Sequence, residues 1–291
     1  MGAAGRGRTL ARRRGSSSTY QQIVGQARRL AEIITGLGFQ ITSVDQLREK
    51  HFRAAFKKLK ADGLKQGTLQ NYSRTARYVM TGAGKTTMAT ALGNFELGVD
   101  GRCRDGTKTA TTDETLTEVA ARVARIRNRN RAVRLDYCIQ FSRLTGARIR
   151  EAQRSGPQLE FWHQTLLPRG TIFMRDGTKN GRDRTILIRE EDRAELLALI
   201  ELGLTLRDTE GRIWLWGTAL KGALRSLTAA GKSVGLHGRE SWHALRYRFA
   251  QTQMTMYLSL GLQRDAALAQ ISMDLGHGDQ RGRYVEQVYF K

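Results

Sequence analysis

Through the first third of the chain, apolar side chains recur every three or four positions, the period of a helix with one buried face. Between residues 20 and 35 the pattern is Ile23, Ala27, Leu30, Ile33 and Ile34. Ser43 with Gln46 has the form of a capping box. It predicts a second helix that runs through Leu47, Phe52, Phe56 and Leu59 and stops near Gly63. Thr68 is placed to cap a third, with Leu69, Tyr72, Ala76 and Val79 on one face. No proline interrupts Tyr20 to Met80; the chain's two are Pro157 and Pro168. The opposite faces carry Arg53, Lys57, Lys58, Lys60, Lys65, Arg74 and Arg77, all of one sign. The expectation is a small helical domain over 19–98 with a basic surface.

Residues 99–112, rich in Gly, Thr and charge, read as a linker. A second region, 113–291, opens with a helix bearing Leu116, Val119, Val123 and Ile126, then another through Val133, Tyr137 and Phe141. Thr171 to Met174 and Thr185 to Ile188 read as the two strands of a hairpin, and helices return from Glu191. The fold class is therefore mainly α with a small β-hairpin, in two domains and without an internal repeat. Trp214, Trp216 and Trp242 fall at apolar positions and read as core, whereas His51 and His237 read as surface residues.

Charge narrows the function. Lys and Arg number 49 against 27 Asp and Glu, a formal charge of +22. The basic residues recur in every third of the chain, so a basic tail does not account for them. An enzyme of small metabolites has no use for such a field, but a polyanion partner does, because each neutralised phosphate releases counterions. Met1 to Ser18 holds Arg6, Arg8, Arg12, Arg13 and Arg14 without an apolar stretch, and reads as a flexible basic arm rather than a secretory signal. Cys103 and Cys138 match no zinc spacing and are too few for a disulfide framework, which suits a reducing compartment. No apolar run approaches a membrane span. The string Gly82-Ala83-Gly84-Lys85-Thr86 invites a phosphate-loop reading, but Val79 stands where that loop needs its first glycine, and no strand precedes it.

Three features of the second region can carry chemistry together. Leu144-Thr145-Gly146-Ala147-Arg148-Ile149-Arg150-Glu151-Ala152 ends one helix at a glycine and exposes an arginine as the next begins. His243-Ala244-Leu245-Arg246 places His and Arg three apart on one helix face. Leu275-Gly276-His277 is followed by Tyr284 and Tyr289.

In this order the set resembles the tyrosine recombinases of the phage integrase type. Residues 145–152 resemble the family's first box, HALRYRFA at 243–250 the start of its second, and the LGH segment that box's end. Gly177-Thr178-Lys179-Asn180-Gly181-Arg182 is similar to the stretch holding the family's hairpin lysine, and the segment around Gly67-Thr68-Leu69-Gln70-Asn71-Tyr72 is more loosely similar to its core DNA-binding domain. The resemblance implies a helical core-binding domain followed by a mixed α/β catalytic domain. It also implies cleavage and rejoining of DNA through a 3′-phosphotyrosine link.

Under that resemblance, Arg148 and Arg246 clamp the non-bridging phosphate oxygens with charge-assisted hydrogen bonds. His243 acts as base toward the phenol, and His277 as a second phosphate donor. Lys179 protonates the leaving 5′ oxygen, and Glu151 orients the arginine or histidine from behind. The nucleophile is a tyrosine, activated by this cationic pocket. The family's usual spacing after the LGH histidine falls on Glu286, with Tyr284 before it and Tyr289 after it. Gly276, Gly278 and Gly282 suggest a lengthened turn, with the terminal helix starting near Arg283, which favours Tyr289 over Tyr284. Tyr247 stands where the family often has another histidine and receives no role.

The chemistry implied needs neither ATP nor metal, so no cofactor is expected. The expected partners are double-stranded recombination sites and further copies of the chain, two on a site and four at synapsis. The resemblance also allows accessory DNA-bending factors. The expected location is the cytoplasm, at the nucleoid, and the expected role is integration or excision of a mobile element. The alternative is a DNA-binding protein on the same scaffold that has lost cleavage.

Overall fold

The computed structural model describes residues 17–101, 105–176, 178, 181–217 and 219–290. The chain divides into two compact units, Met1–Cys103 and Arg104–Lys291. Except for the start of its first helix, the arginine-rich stretch at 1–18 lies outside the described residues.

The first unit is built from α1 (Ser17–Gly36), α2 (Glu49–Ala61), α3 (Gln66–Gly82) and the short α4 (Thr86–Ala91). Its core joins Leu30 and Ile34 of α1, Phe52, Phe56 and Leu59 of α2, Leu69, Ala76 and Met80 of α3, and Leu92. On the outer surface Arg53 and Lys58 pair with Glu49 and Asp62 along α2. Lys57, Lys60, Lys65 and Arg74 are exposed.

Two helix starts differ from expectation. Ser43 and Gln46 do form a capping box, but it closes a single turn, Val44–Gln46. Leu47 and Arg48 then run extended, and α2 begins at Glu49. His51 supplies the reason: its Nδ1 accepts the Arg48 N–H at 3.1 Å and caps α2 from inside. Its ring packs on Phe39 with centroids 4.6 Å apart. His51 is accordingly buried, not a surface residue. Likewise α3 starts before Thr68. The Thr68 and Leu69 N–H groups donate to Lys65 O at 2.8 and 3.1 Å, so the backbone is already helical there. The lysine of the glycine-rich string has a structural use, since Lys85 Nζ donates to the carbonyls of Val44, Asp45 and Leu47.

The second unit contains α5 (Asp113–Ala124), α6 (Arg129–Thr145), α7 (Ile149–Gln153), α8 (Leu159–Arg169), β1 (Thr171–Met174), β2 (Arg184–Leu187) and α9 (Glu190–Leu206). It continues with α10 (Leu220–Ser233), α11 (Ala244–Ser259), α12 (Arg264–Asp274) and α13 (Gly282–Tyr289). Helix α6 is its axis. Leu135, Tyr137, Ile139, Phe141 and Leu144 are all buried, because α5, α7, α9, α10 and α11 surround it. Trp162 and Trp214 are fully buried in the same core, Trp242 nearly so, and Trp216 leans on Trp214.

The hairpin is antiparallel and pairs Ile172 with Ile186 and Met174 with Arg184. Ile172, Met174, Arg184 and Ile186 all face inward, as the two-residue period of a strand requires. The second strand thus begins one residue earlier than the apolar pattern suggests, on an arginine. The stretch 105–112 packs on the second unit. Gly106 N–H donates to Gln287 O at 3.2 Å, and buried Thr111 accepts from Arg248 at 3.0 Å.

Candidate active site

The first arginine is placed by a helix stop. Helix α6 ends at Gly146 in the left-handed conformation, φ 62° and ψ 20°, which only glycine adopts without strain. The turn leaves Arg148 extended at the start of α7. Glu151, one turn on, accepts the Arg148 N–H at 2.7 Å and Arg148 Nη1 at 2.9 Å, so one carboxylate fixes both ends of the arginine.

Arg246 lies in the first turn of α11, with 1% of its surface exposed. It donates through Nη1 to Gly146 O and through Nη2 to Leu275 O at 2.9 Å. Arg148 Nη2 reaches the same Leu275 O at 3.2 Å. Leu275 follows the last residue of α12, and a helix C-terminus carries partial negative charge. Two guanidinium groups more than 90 residues apart in sequence thus converge on one carbonyl at the head of the Leu275-Gly276-His277 turn.

Tyr289 closes the group. It ends α13, 2% exposed, and its hydroxyl lies 3.1 Å from His277 Nε2. Its ring packs on Tyr247 with centroids 4.6 Å apart and faces His243 at 6.0 Å. Tyr284, half-buried, sets its ring edge-on to His277 at 5.0 Å. Glu286, at the family's usual spacing, turns outward to pair with Arg264. The glycine-rich turn is as long as the spacing implied, and α13 starts at Gly282.

The pocket carries more positive than negative charge, and its histidines register this. Desolvation, then the charges of Arg246 and Arg148, lower His243 to about 4. The same influences in the same order lower His277 to about 3. Both imidazoles are neutral at neutral pH, so a ring nitrogen is available to accept a proton. For Glu151, burial is the largest influence and opposes ionisation. The hydrogen bonds and charge of Arg184, with those of Arg246 and Arg148, outweigh it and set the carboxyl at about 2.

Of the residues expected from sequence, the fold brings Arg148, Glu151, Arg246, His243, His277 and Tyr289 into one neighbourhood. Lys179 lies outside the described residues. Of the two histidines, His277 makes the hydrogen bond with the phenol, while His243, read from sequence as the base, approaches it ring to ring. Tyr247, given no role from sequence, packs on Tyr289. One neighbour escaped sequence reasoning, Arg184, whose signal was an arginine on the inward face of an apolar strand. Among the described residues, no group of three or more His, Cys, Asp and Glu side chains could hold a metal ion. Among them too, no helix is long and apolar enough to cross a membrane.

An all-helical pocket of two arginines, two histidines and a buried terminal tyrosine, with a hairpin beside it, defines a DNA strand-transfer enzyme of the tyrosine recombinase class. Sequence comparison agrees. The Integrase family model matches residues 98–252, and the model for the N-terminal part of phage integrases matches residues 4–89. The chain belongs to the integrase family of tyrosine recombinases. No curated protein matches it. Among solved structures it is similar to a lambda integrase tetramer bound to a Holliday junction, with TM-score 0.60 and 14% identity over 96% of this chain and 74% of that one. A lambda integrase(75-356) dimer bound to a COC′ core site gives TM-score 0.59 and 15% identity over 96% and 92%. The Tn1549 transposon integrase with transposon right-end DNA gives 0.57 and 13% over 96% and 91%. At these identities the likeness speaks for the fold.

Proposed function

We propose that this integrase cuts and rejoins DNA with Tyr289 as nucleophile, and the observation that carries the reading is the 3.1 Å hydrogen bond between its hydroxyl and His277 Nε2. The phenolic oxygen attacks phosphorus and its proton passes to His277. The bond from phosphorus to the 5′ oxygen breaks, and Lys179 protonates the leaving oxygen. Arg148 and Arg246 hold the non-bridging oxygens, where charge builds in the transition state. His243, beside them, donates to the same phosphate. One phosphoester bond is exchanged for another, so rejoining by the reverse steps needs no ATP and no metal.

The domain reading follows. Residues 19–98 bind the core of the site through the basic surface of α2 and α3, 99–112 connect, and 113–291 catalyse, with 1–18 as a basic arm on DNA. The lambda integrase structures show a dimer on a core site and a tetramer on a Holliday junction. By analogy two copies of this chain occupy each site and four exchange strands, in the cytoplasm at the nucleoid, to integrate or excise a mobile element.

The test uses a pool of nicked duplexes of randomised sequence, incubated with the protein and denatured. Strands that stay attached to protein are recovered and sequenced, and the enriched sequence serves as the substrate thereafter. The parent and Tyr284→Phe form the adduct; Tyr289→Phe does not. Adduct in Tyr289→Phe but not in Tyr284→Phe would overturn the nucleophile assignment. Binding without adduct in the parent would favour a scaffold that has lost cleavage.

A further inference from the structure

The mechanism above leaves one buried ion pair without a task. Arg184 opens β2 and is 5% exposed, and the proposed steps assign it no role. Its two terminal nitrogens grip both oxygens of Glu151, Nη1 to Oε1 at 3.0 Å and Nη2 to Oε2 at 2.7 Å. Nη2 also lies 3.1 Å from Met174 Sδ across the hairpin. On its other side the arginine runs along the LGH turn. A methyl group built on Gly276 would come within 3.3 Å of Arg184 Cδ. Two residues earlier, Arg182 donates to His277 O at 2.9 Å. Arg184 and Arg182 therefore reach the carboxylate that holds Arg148 on one side and the LGH turn on the other.

A buried arginine is costly to desolvate, and an apolar residue at this inward strand position would match the Ile186 that follows it. The arginine therefore does something that packing alone does not require. Glu151 is the same carboxylate that holds Arg148 by backbone and side chain. Its two oxygens accept from Arg148 and Arg184 together, so rotation of the carboxylate about its own bond would break contacts to both.

We propose that Arg184 is a positioning residue, which locks the Glu151 carboxylate in one rotamer so that Arg148 is held toward the scissile phosphate. Arg184 stabilises the charged form of Glu151 from β2, Arg148 from the start of α7, and Arg246 from α11. Arg184 also faces Asp274 and His277, which respond to its charge.

This inference rests on the reading of Arg148 as a phosphate clamp, and the parent enzyme supplies the control. If the parent forms no adduct with the selected nicked duplex, that reading fails and not this one alone. With an active parent, the adduct rate of Arg184→Gln is measured at saturating DNA across pH. The expected loss is about 10²-fold, the scale of a small misplacement of a clamping group, with DNA affinity nearly unchanged. The profile is expected to gain an acid limb that the parent lacks, because a buried carboxyl without its partner charge titrates upward. In the double variant Glu151→Gln, Arg184→Gln that limb disappears, which separates Glu151 from Asp274, His243 and His277. Arg184→Lys keeps the charge without the two-point grip. It is expected to lose about tenfold or more in rate, the worth of one charged hydrogen bond, and serves if Arg184→Gln does not fold. A parental rate in either single variant overturns the proposal, as does a loss in Arg184→Gln that is uniform in pH.

Discussion

Gly106 tests how firmly Tyr289, the proposed nucleophile, is held by its own chain. The Gly106 N–H donates to Gln287 O at 3.2 Å, and Gln287 Nε2 returns a bond to Asp105 at 2.9 Å. The stretch 105–106 thus lies along the last turn of α13. A methyl group on Gly106 would overlap the Val288 carbonyl oxygen outright and stand 3.0 Å from both its carbon and Tyr247 Oη. Carbon atoms rest about 3.5–4.0 Å apart, so the turn must retreat by at least about 0.5–1 Å. Tyr289 is the next residue. A reacting group misplaced by about 1 Å loses on the order of 10²-fold in rate, and overpacking of this kind costs about 1–3 kcal/mol in stability. Gly106→Ala is therefore expected to lower single-turnover adduct formation about 100-fold while DNA affinity, measured by anisotropy at fixed salt, stays near the parent's. Gly101→Ala is the control, since a methyl group there meets nothing within 4 Å. Equal rates for Gly106→Ala and the parent, with an unchanged melting temperature, would refute the view that this stretch positions Tyr289.

Other consequences are as direct. Trp162 is fully buried, stacks on Phe141 at 5.4 Å and donates to Phe173 O at 2.7 Å. Trp162→Ala should cost about 3–5 kcal/mol by denaturant titration, and a parental midpoint would contradict the packing. Burial, outweighing the hydrogen bonds from Tyr257, Gln270 and Gln253, raises Asp274 to about 6 from 3.8. A folded-state pKa raised above the unfolded one gives stability that is present below the unfolded value and lost as pH rises through about 6. Asp274→Asn should therefore gain on the parent in melting temperature between pH 5 and pH 8, and a constant difference would argue against it. His243 and His277 should titrate near 4 and 3 in the free protein and higher when duplex DNA is bound, as followed by NMR; unmoved values would mean that no phosphate enters the pocket. DNA affinity should fall steeply with salt, and a flat response would count against the charge argument.

Much of this was legible because each site residue sits in a local motif with its own spacing. The glycine stop before Arg148, the three-residue step from His243 to Arg246 and the Leu275-Gly276-His277 turn are all short-range signals. The inward position of Tyr289 was readable from the extra glycines, which lengthen the turn. What stayed hidden depends on contacts between distant segments. His51 is buried because its ring packs on Phe39 of an earlier segment, and composition alone classes such a histidine as surface. Ser43 and Gln46 form the predicted capping box, yet nothing local says that Leu47 and Arg48 then extend. Arg184 was read past because a strand pattern registers apolar positions, and an inward arginine is meaningful only once Glu151, 33 residues earlier, is seen to face it.

The charge balance of the pocket ties recognition to chemistry. Arg148, Arg184 and Arg246 are opposed by the buried carboxylate of Glu151, with Asp274 also facing Arg184, and the remaining guanidinium bonds go largely to carbonyls, which orient charge without cancelling it. Among the described residues, Arg184 Nε and Arg246 Nε have no hydrogen-bond acceptor. Burial first, and then the charges of Arg246 and Arg148, disfavour protonation of both histidines, so the imidazole beside Tyr289 holds a proton poorly. On the proposed roles, a phosphodiester between Arg148 and Arg246 would supply negative charge, and the affinity of the imidazoles for a proton would rise. His277 would then be the better acceptor for the phenolic proton at the moment when phosphorus is in reach of Tyr289. The excess of arginine would thereby both attract DNA and set when Tyr289, a residue 2% exposed, is activated.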